Sequence, residues 1–338
     1  MSFDPRREDY LRLGLRFART LDSKDPFGAA RAISTFSRRY DQNRDALPQS
    51  DGDRAFHLVA EATDLIDYQL PFASDEAVQP LLDNAGKLLD EALDLDAHCH
   101  DATRMKAAAE LLSFESYYRF LEANAPAVRE SCLRRRDAAR EEFGARADLA
   151  GDIALRPYLR WASTEAAKAL ICGRYTKTIE LADELLELDP TDQCDVRFTA
   201  ALAFAKLEDE AGLERLARGR NVRLASSTGP EHADAWLLMA RVALAYKRRD
   251  LTCAREWLAR ITESYPHALE TLSRQDELPD GVFARLAVAP HSEDELILAV
   301  SEATVLLQEG RDENGRGTLG AWVAAQTGVP ADASARRA

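Results

Sequence analysis

The chain has 338 residues, 46% of them hydrophobic and 30% charged, a balance that excludes both a disordered chain and a membrane-embedded one. Fifty-eight acidic against forty-four basic side chains leave a net charge of −14, which repels phosphate backbones and excludes a general nucleic-acid binder, local arginine groups such as Arg134, Arg135 and Arg136 apart. Five scattered cysteines without a CxxC spacing imply reduced thiols, and the charged start and lack of an apolar run of roughly eighteen residues imply neither an export signal nor a membrane span. A cytoplasmic protein is expected, and a basic content that is almost all Arg, with only seven Lys, points to a GC-rich bacterial genome.

Helical periodicity runs through nearly the whole chain and strand alternation is missing, which predicts an all-α fold. The first predicted helices are Tyr10 to Leu21 and Phe27 to Tyr40, separated by the turn-forming stretch Ser23 to Pro26. A polar break over Asp41 to Asp53 precedes helices at Arg54 to Tyr68, Asp75 to Leu95, Ala102 to Phe114 and Tyr117 to Phe143, the last with a candidate interruption at Pro126. Gly144 to Gly151 closes an N-terminal region of residues 1–145. Further on, helix pairs are predicted over Trp161 to Pro190, Cys194 to Arg218 and Asp234 to Pro266, followed by a helix after Ser292 and a final one containing Trp322. The small residues of 329–338 predict a disordered tail.

The chain also repeats itself. Asp90-Glu-Ala-Leu-Asp-Leu-Asp-Ala97 matches Asp183-Glu-Leu-Leu-Glu-Leu-Asp-Pro190 at an offset of 93, and the register continues as Arg104 meets Arg197 and Ala107-Ala108 meets Ala200-Ala201. A helix end, a turn and the next helix therefore recur, the mark of a helical array. Within Trp161 to Pro190, Gly173 suits a left-handed helix end, Ala166 and Ala169 let paired helices approach closely, and Pro190 stops the second helix.

These residues resemble a tetratricopeptide repeat, with Thr178 where the family prefers a small Ala. A second copy covers Asp234 to Pro266, and a degenerate one lies near residues 78–112. Arg156 to Arg160, Tyr265-Pro-His267 and Ser292 to Glu295 are also similar to bacterial repeat proteins of the suppressor-of-tumorigenicity type. The resemblance implies a right-handed superhelical array of antiparallel helix pairs over residues 152–328, with a concave groove for a protein or peptide. Candidate partner-binding residues on that face are Arg160, Arg197, Trp236, Met239, Tyr246 and Lys247. The arginines suit a carboxylate and the aromatic stripe suits an anchor, against the plainer readings of salt bridge and core. Ala167 and Ala243 stand at the positions where the carboxylate-gripping subclass has Asn, so no such clamp is expected.

Chemistry finds little support. Gly315, Gly317 and Gly320 spell GxGxxG without the strand and helix that make it a dinucleotide site. The run Asp94, Asp96, His98, Cys99, His100 and Asp101 is rich in ligand types, and His57 with His100-Asp101 admits a helical metal-dependent phosphohydrolase, but an inter-helix turn points such side chains apart. The expectation is a non-catalytic scaffold without metal or cofactor. A regulatory receptor for a small peptide or metabolite is the alternative.

Overall fold

A computed structural model describes residues 4–21, 26–218, 233–278, 288–311 and 316–328. Among these residues there is no strand: the fold is all-α. The expected tail at 329–338 lies outside them. The chain divides into two compact units, residues 3–164 and 165–338. The boundary therefore falls inside a helix and not in the 146–151 segment, where Gly144, with φ +50°, and one tight turn at Gly144–Arg146 are all that separates two long helices.

The N-terminal unit holds α1 (Pro5–Arg19), α2 (Pro26–Asn43), α3 (Asp51–Thr63), α4 (Asp75–Leu95), α5 (His100–Glu110), α6 (Phe114–Phe143) and the first part of α7 (Ala147–Ile171). Local chemistry sets the starts. Asp4 caps α1 by accepting from the Arg7 amide at 2.9 Å, with Pro5 pre-shaped for the first turn, and Ser50 and Asp53 form a reciprocal capping box on α3. α3 loosens into a π turn over Asp64–Gln69 before Pro71 ends it. α6 passes through Pro126 without a break, against the interruption expected there.

Neighbours in sequence pack together: α1 on α2 and α3, α3 on α4, α4 on α5, α5 on α6. One apolar cluster joins Val59 and Ala62 to Leu89 and Ala92, and another joins Leu13 and Phe17 to Phe36. The rings of Tyr10, Phe36 and Tyr40 meet edge to face at centroid distances of 5.0 and 5.1 Å.

The C-terminal unit holds the end of α7, then α8 (Tyr175–Leu188), α9 (Val196–Lys206), α10 (Glu210–Arg218), α11 (Ala235–Lys247), α12 (Leu251–Ser264), α13 (Ala268–Arg274), α14 (Glu293–Glu302), α15 (Thr304–Leu307) and α16 (Thr318–Gln326). α9 packs on α8, α10 and α11, and α11 on α12. Gly173 takes the left-handed conformation at φ +77°, letting the Arg174 amide reach the Ala169 carbonyl at 2.8 Å and so end α7. α9 and α11 are buried along almost their whole length. A helix apolar on every side must be covered on every side, and α14 on α11 and α15 on α9 supply the remaining cover.

The internal repeat recurs as geometry. Asp96 ends α4 with φ −141° and ψ 97°, its Oδ1 accepting from the His98 amide at 2.9 Å, and Asp189 ends α8 with φ −133° and ψ 86°, its Oδ1 accepting from the Thr191 amide at 3.1 Å. The matched aspartates thus build the same two-residue Asx turn.

Candidate functional site

The N-terminal unit is tied by buried charge. Glu8 on α1, Asp101 on α5 and Arg160 on α7 are 1%, 3% and 6% exposed. Arg160 donates through Nε and Nη2 to the two oxygens of Asp101 at 2.7 and 2.5 Å and through Nη1 to Glu8 at 2.8 Å, while Arg12 and Arg156 also reach Glu8, at 2.7 and 3.3 Å. Burial pushes the Glu8 carboxyl up, but Arg160, Arg12 and Arg156 outweigh it and hold the group below its ordinary range. The same contest leaves Asp101 at about 2, with Arg160 the main opponent of burial. Phe56 on α3 lies under the Arg12 and Arg160 guanidinium groups at 4.2 and 5.6 Å, so its ring face completes the tie between α1, α3, α5 and α7.

Beside this network a cleft of about 800 Å³ opens between α1, α2, α3, the π turn and α4. Its floor is Asp9, buried and held by Arg44 at 2.6 and 2.8 Å, by the Tyr40 hydroxyl at 2.7 Å and by His57 Nδ1 at 3.2 Å. Burial raises the Asp9 carboxyl, but hydrogen bonds from Arg44, His57 and Tyr40 outweigh it and bring it well below the usual carboxylate range. At the rim, Asp64 is paired with Arg6 at 2.7 Å. Asp41 and Glu61 are exposed, and among the described residues neither has a Lys or Arg within ion-pair distance; Glu61 has only His57 Nε2, at 3.5 Å. Tyr10, Ala60, Leu65 and Leu88 give the cleft its apolar wall.

The residues expected to grip a partner lie elsewhere. Arg160 is the hub of the buried network and belongs to the N-terminal unit, its guanidinium taken up by Glu8 and Asp101. In the C-terminal unit Trp236 and Met239 are each 2% exposed. The Trp236 ring stacks on Phe198 at 4.0 Å and its indole N–H donates to Glu302 at 2.8 Å. Tyr246 packs on Trp322 at 5.2 Å, with its hydroxyl donating to the Thr318 carbonyl at 3.3 Å. Lys247 shares Glu309 with Lys206, at 3.4 and 3.2 Å. Arg197 lies 3.8 Å from Asp192. Trp236 and Met239 of that stripe are core and Tyr246 is half-buried, because α11 is apolar over most of its girth and the chain covers it with α12 and α14.

The ligand-rich run does not converge either. Among the described residues no three His, Cys, Asp or Glu groups are placed to hold a metal ion. Asp101 gives both its oxygens to Arg160 and His57 faces Asp9, so the His57, His100 and Asp101 constellation is not assembled. Burial pushes the Cys99 and Cys132 thiols up to about 11, which leaves them unreactive. Gly315 lies outside the described residues, but the other two glycines of the GxGxxG run have a packing reason: a Cβ at Gly317 would meet the Glu309 carbonyl at 2.2 Å and one at Gly320 the Leu307 carbonyl at 2.5 Å. They let α16 sit directly on the preceding turn.

The cleft residues gave little signal in the sequence. Asp9, Tyr40 and His57 come together only because α1, α2 and α3 pack, over separations of 31 and 48 residues. Of the three, the sequence pattern marks only His57, and for a metal role that the structure does not assemble. Comparison of the chain with protein families, with curated proteins and with solved structures finds no match.

Proposed function

We propose that the protein is a non-catalytic cytoplasmic binding protein, built partly from tetratricopeptide-like helix pairs, and that the cleft of its N-terminal unit receives the partner. The repeat reading, a right-handed array across α8 to α12, is supported by the chain-neighbour packing of α8, α9, α11 and α12 and by the recurring Asx turn. The binding role is assigned to the cleft because the face of α9 and α11 first favoured for it is taken up by α14 and α15. One observation carries the assignment: two exposed carboxylates, Asp41 without a Lys or Arg partner among the described residues and Glu61 with only the His57 imidazole at 3.5 Å, line an open cavity in which Asp9 is held by Arg44 and Asp64 by Arg6. A binding role also fits better than catalysis, since both nitrogens of His57 face carboxylates, Asp9 and Glu61, and among the described residues neither is bonded to a hydroxyl or thiol.

The test is peptide display against the whole chain, with a Ser37→Trp/Asn84→Trp variant that fills the cleft from two exposed positions. Enriched peptides should bind the native chain and lose binding to the filled variant at unchanged melting temperature. Peptides that bind both forms equally would remove the cleft from consideration.

A small-ligand receptor is the second reading, favoured by the cleft's volume of about 800 Å³, which falls in the range of small-molecule sites. Stabilisation of the chain by a metabolite in a thermal-shift screen, lost in the filled variant, would select it.

A further inference from the structure

Granting that the cleft is a binding site, we infer that its occupant is a basic peptide segment, seated by an Arg or Lys side chain between Asp41 and Glu61. Five carboxylates line the cleft, Asp4, Asp9, Asp41, Glu61 and Asp64, against the guanidinium groups of Arg6 and Arg7 and the imidazole of His57. Most of these acids are already committed: Asp9 to Arg44, Asp64 to Arg6, and Asp4 to the first turn of α1. Asp41 at the end of α2 remains, and Glu61 on α3 has only the His57 imidazole, at 3.5 Å. They belong to two different helices that line the cleft, α2 and α3, so a cation entering it meets negative charge from each.

The rest of the cleft matches the remainder of such a side chain. The methylene stem of Arg or Lys buries readily on apolar surface, and Ala60, Leu65 and Leu88 offer it. The rings of Tyr10 and Tyr40 border the same space and attract a cation to their faces. A bare metal ion is a poorer fit, since no three ligand groups converge among the described residues. A free amine would fill little of a cavity of about 800 Å³, whereas a peptide carries neighbouring residues to occupy it. The net charge of −14 draws a basic partner toward the chain before contact.

The experiment uses the full chain and a short fluorescein-labelled peptide of alternating arginine and leucine, with binding read by anisotropy at low salt. Asp41→Asn/Glu61→Gln should weaken binding about tenfold, the loss expected of two partly exposed ion pairs. Asp183→Asn/Glu263→Gln removes the same charge from exposed positions that do not line the cleft and should change it by less than about twofold, because neither carboxylate touches a seated side chain. Ser37→Trp/Asn84→Trp should abolish it.

Equal weakening by the two charge pairs would overturn the proposal, since the peptide would then respond to net charge alone. A glutamate-for-arginine peptide that binds as well, and is blocked by the filled variant, would overturn the cationic class while leaving the cleft as the binding site. Preferential binding of free spermidine with the same dependence on Asp41 and Glu61 would overturn the peptide assignment. Failure of every probe to respond to the filled variant would take the cleft reading down as well.

Discussion

The two units are held together by different physics. In residues 3–164, guanidinium and carboxylate groups cross between helices in the middle of the fold, as Arg160 does between Glu8 and Asp101 and Arg44 does with Asp9. In residues 165–338 the central helices α9 and α11 are sheets of Ala, Leu, Val and aromatic side chains, and buried acids such as Glu295 serve helix ends, where its oxygens accept from the Ala235 and His291 amides and the Tyr265 hydroxyl. Apolar packing tolerates many arrangements of similar volume, but a buried ion network is satisfied by one. The first unit therefore depends on groups that are costly to leave unpaired, and the second on close contact of small residues.

The sharpest way to break this contrast is Arg160→Ala. It takes from Asp101 the partner of both its oxygens, leaving only Arg104 at 3.6 Å, and removes one of the three guanidinium groups on Glu8, and should cost about 3–5 kcal/mol. Hydrogen exchange should show amides of α1, α3 and α5 losing protection while those of α11 keep it; equal loss in both units would end the distinction. Arg160→Lys should not rescue, since one ammonium cannot supply the fork that now serves both Asp101 oxygens and Glu8.

Next in size is Met239→Ala, which tests the opposite unit. A side chain 2% exposed within α11 should cost about 2–4 kcal/mol by urea denaturation, whereas a partner-facing methionine on the surface would cost no more than about 0.5 kcal/mol. A loss near the lower figure would reopen the groove reading of Trp236, Met239 and Tyr246.

What could be read from the sequence follows the same line between local and distant causes. Helix class, most helix limits and the turn after Gly173 are set by residues a few positions apart, and so is the Asx turn shared by Asp96 and Asp189. Partnership is not local. Arg160 was assigned to a groove because its position in a repeat fits one, yet its partners are 59 and 152 residues away in sequence. Trp236 and Met239 form a stripe that is the same in sequence whether it faces a partner or α14. Only the extent of apolar residues around α11, too wide for a one-sided face, held a hint of the answer. The cleft is less legible still, since Asp9, Asp41 and Glu61 read as three solvated acids until α1, α2 and α3 are packed.

The smallest expected effect concerns pH, where Asp234 of the C-terminal unit should respond oppositely to Glu8 and Asp101 of the N-terminal unit. Glu8 and Asp101 are held below their ordinary values, so the stability they contribute is present above about pH 4, the usual range of an unfolded carboxyl, and is lost as pH falls through that range toward about 2. Asp234 behaves oppositely. Burial, with the Glu295 charge adding to it, raises its carboxyl to about 6, so its contribution is complete below about pH 4 and is lost as pH rises through 6. Asp67, raised to about 6 by burial within the first unit, partly masks the contrast there and is best removed first as Asp67→Asn. In that background, Asp234→Asn keeps a side-chain oxygen for the Leu237 amide, since Asn caps a helix as well as Asp does. It should stabilise the C-terminal unit by about 1 kcal/mol at pH 7 and by almost nothing at pH 4. The comparison is read from α11 amide exchange at the two pH values; a gain of equal size at both would mean that the Asp234 charge is not its source.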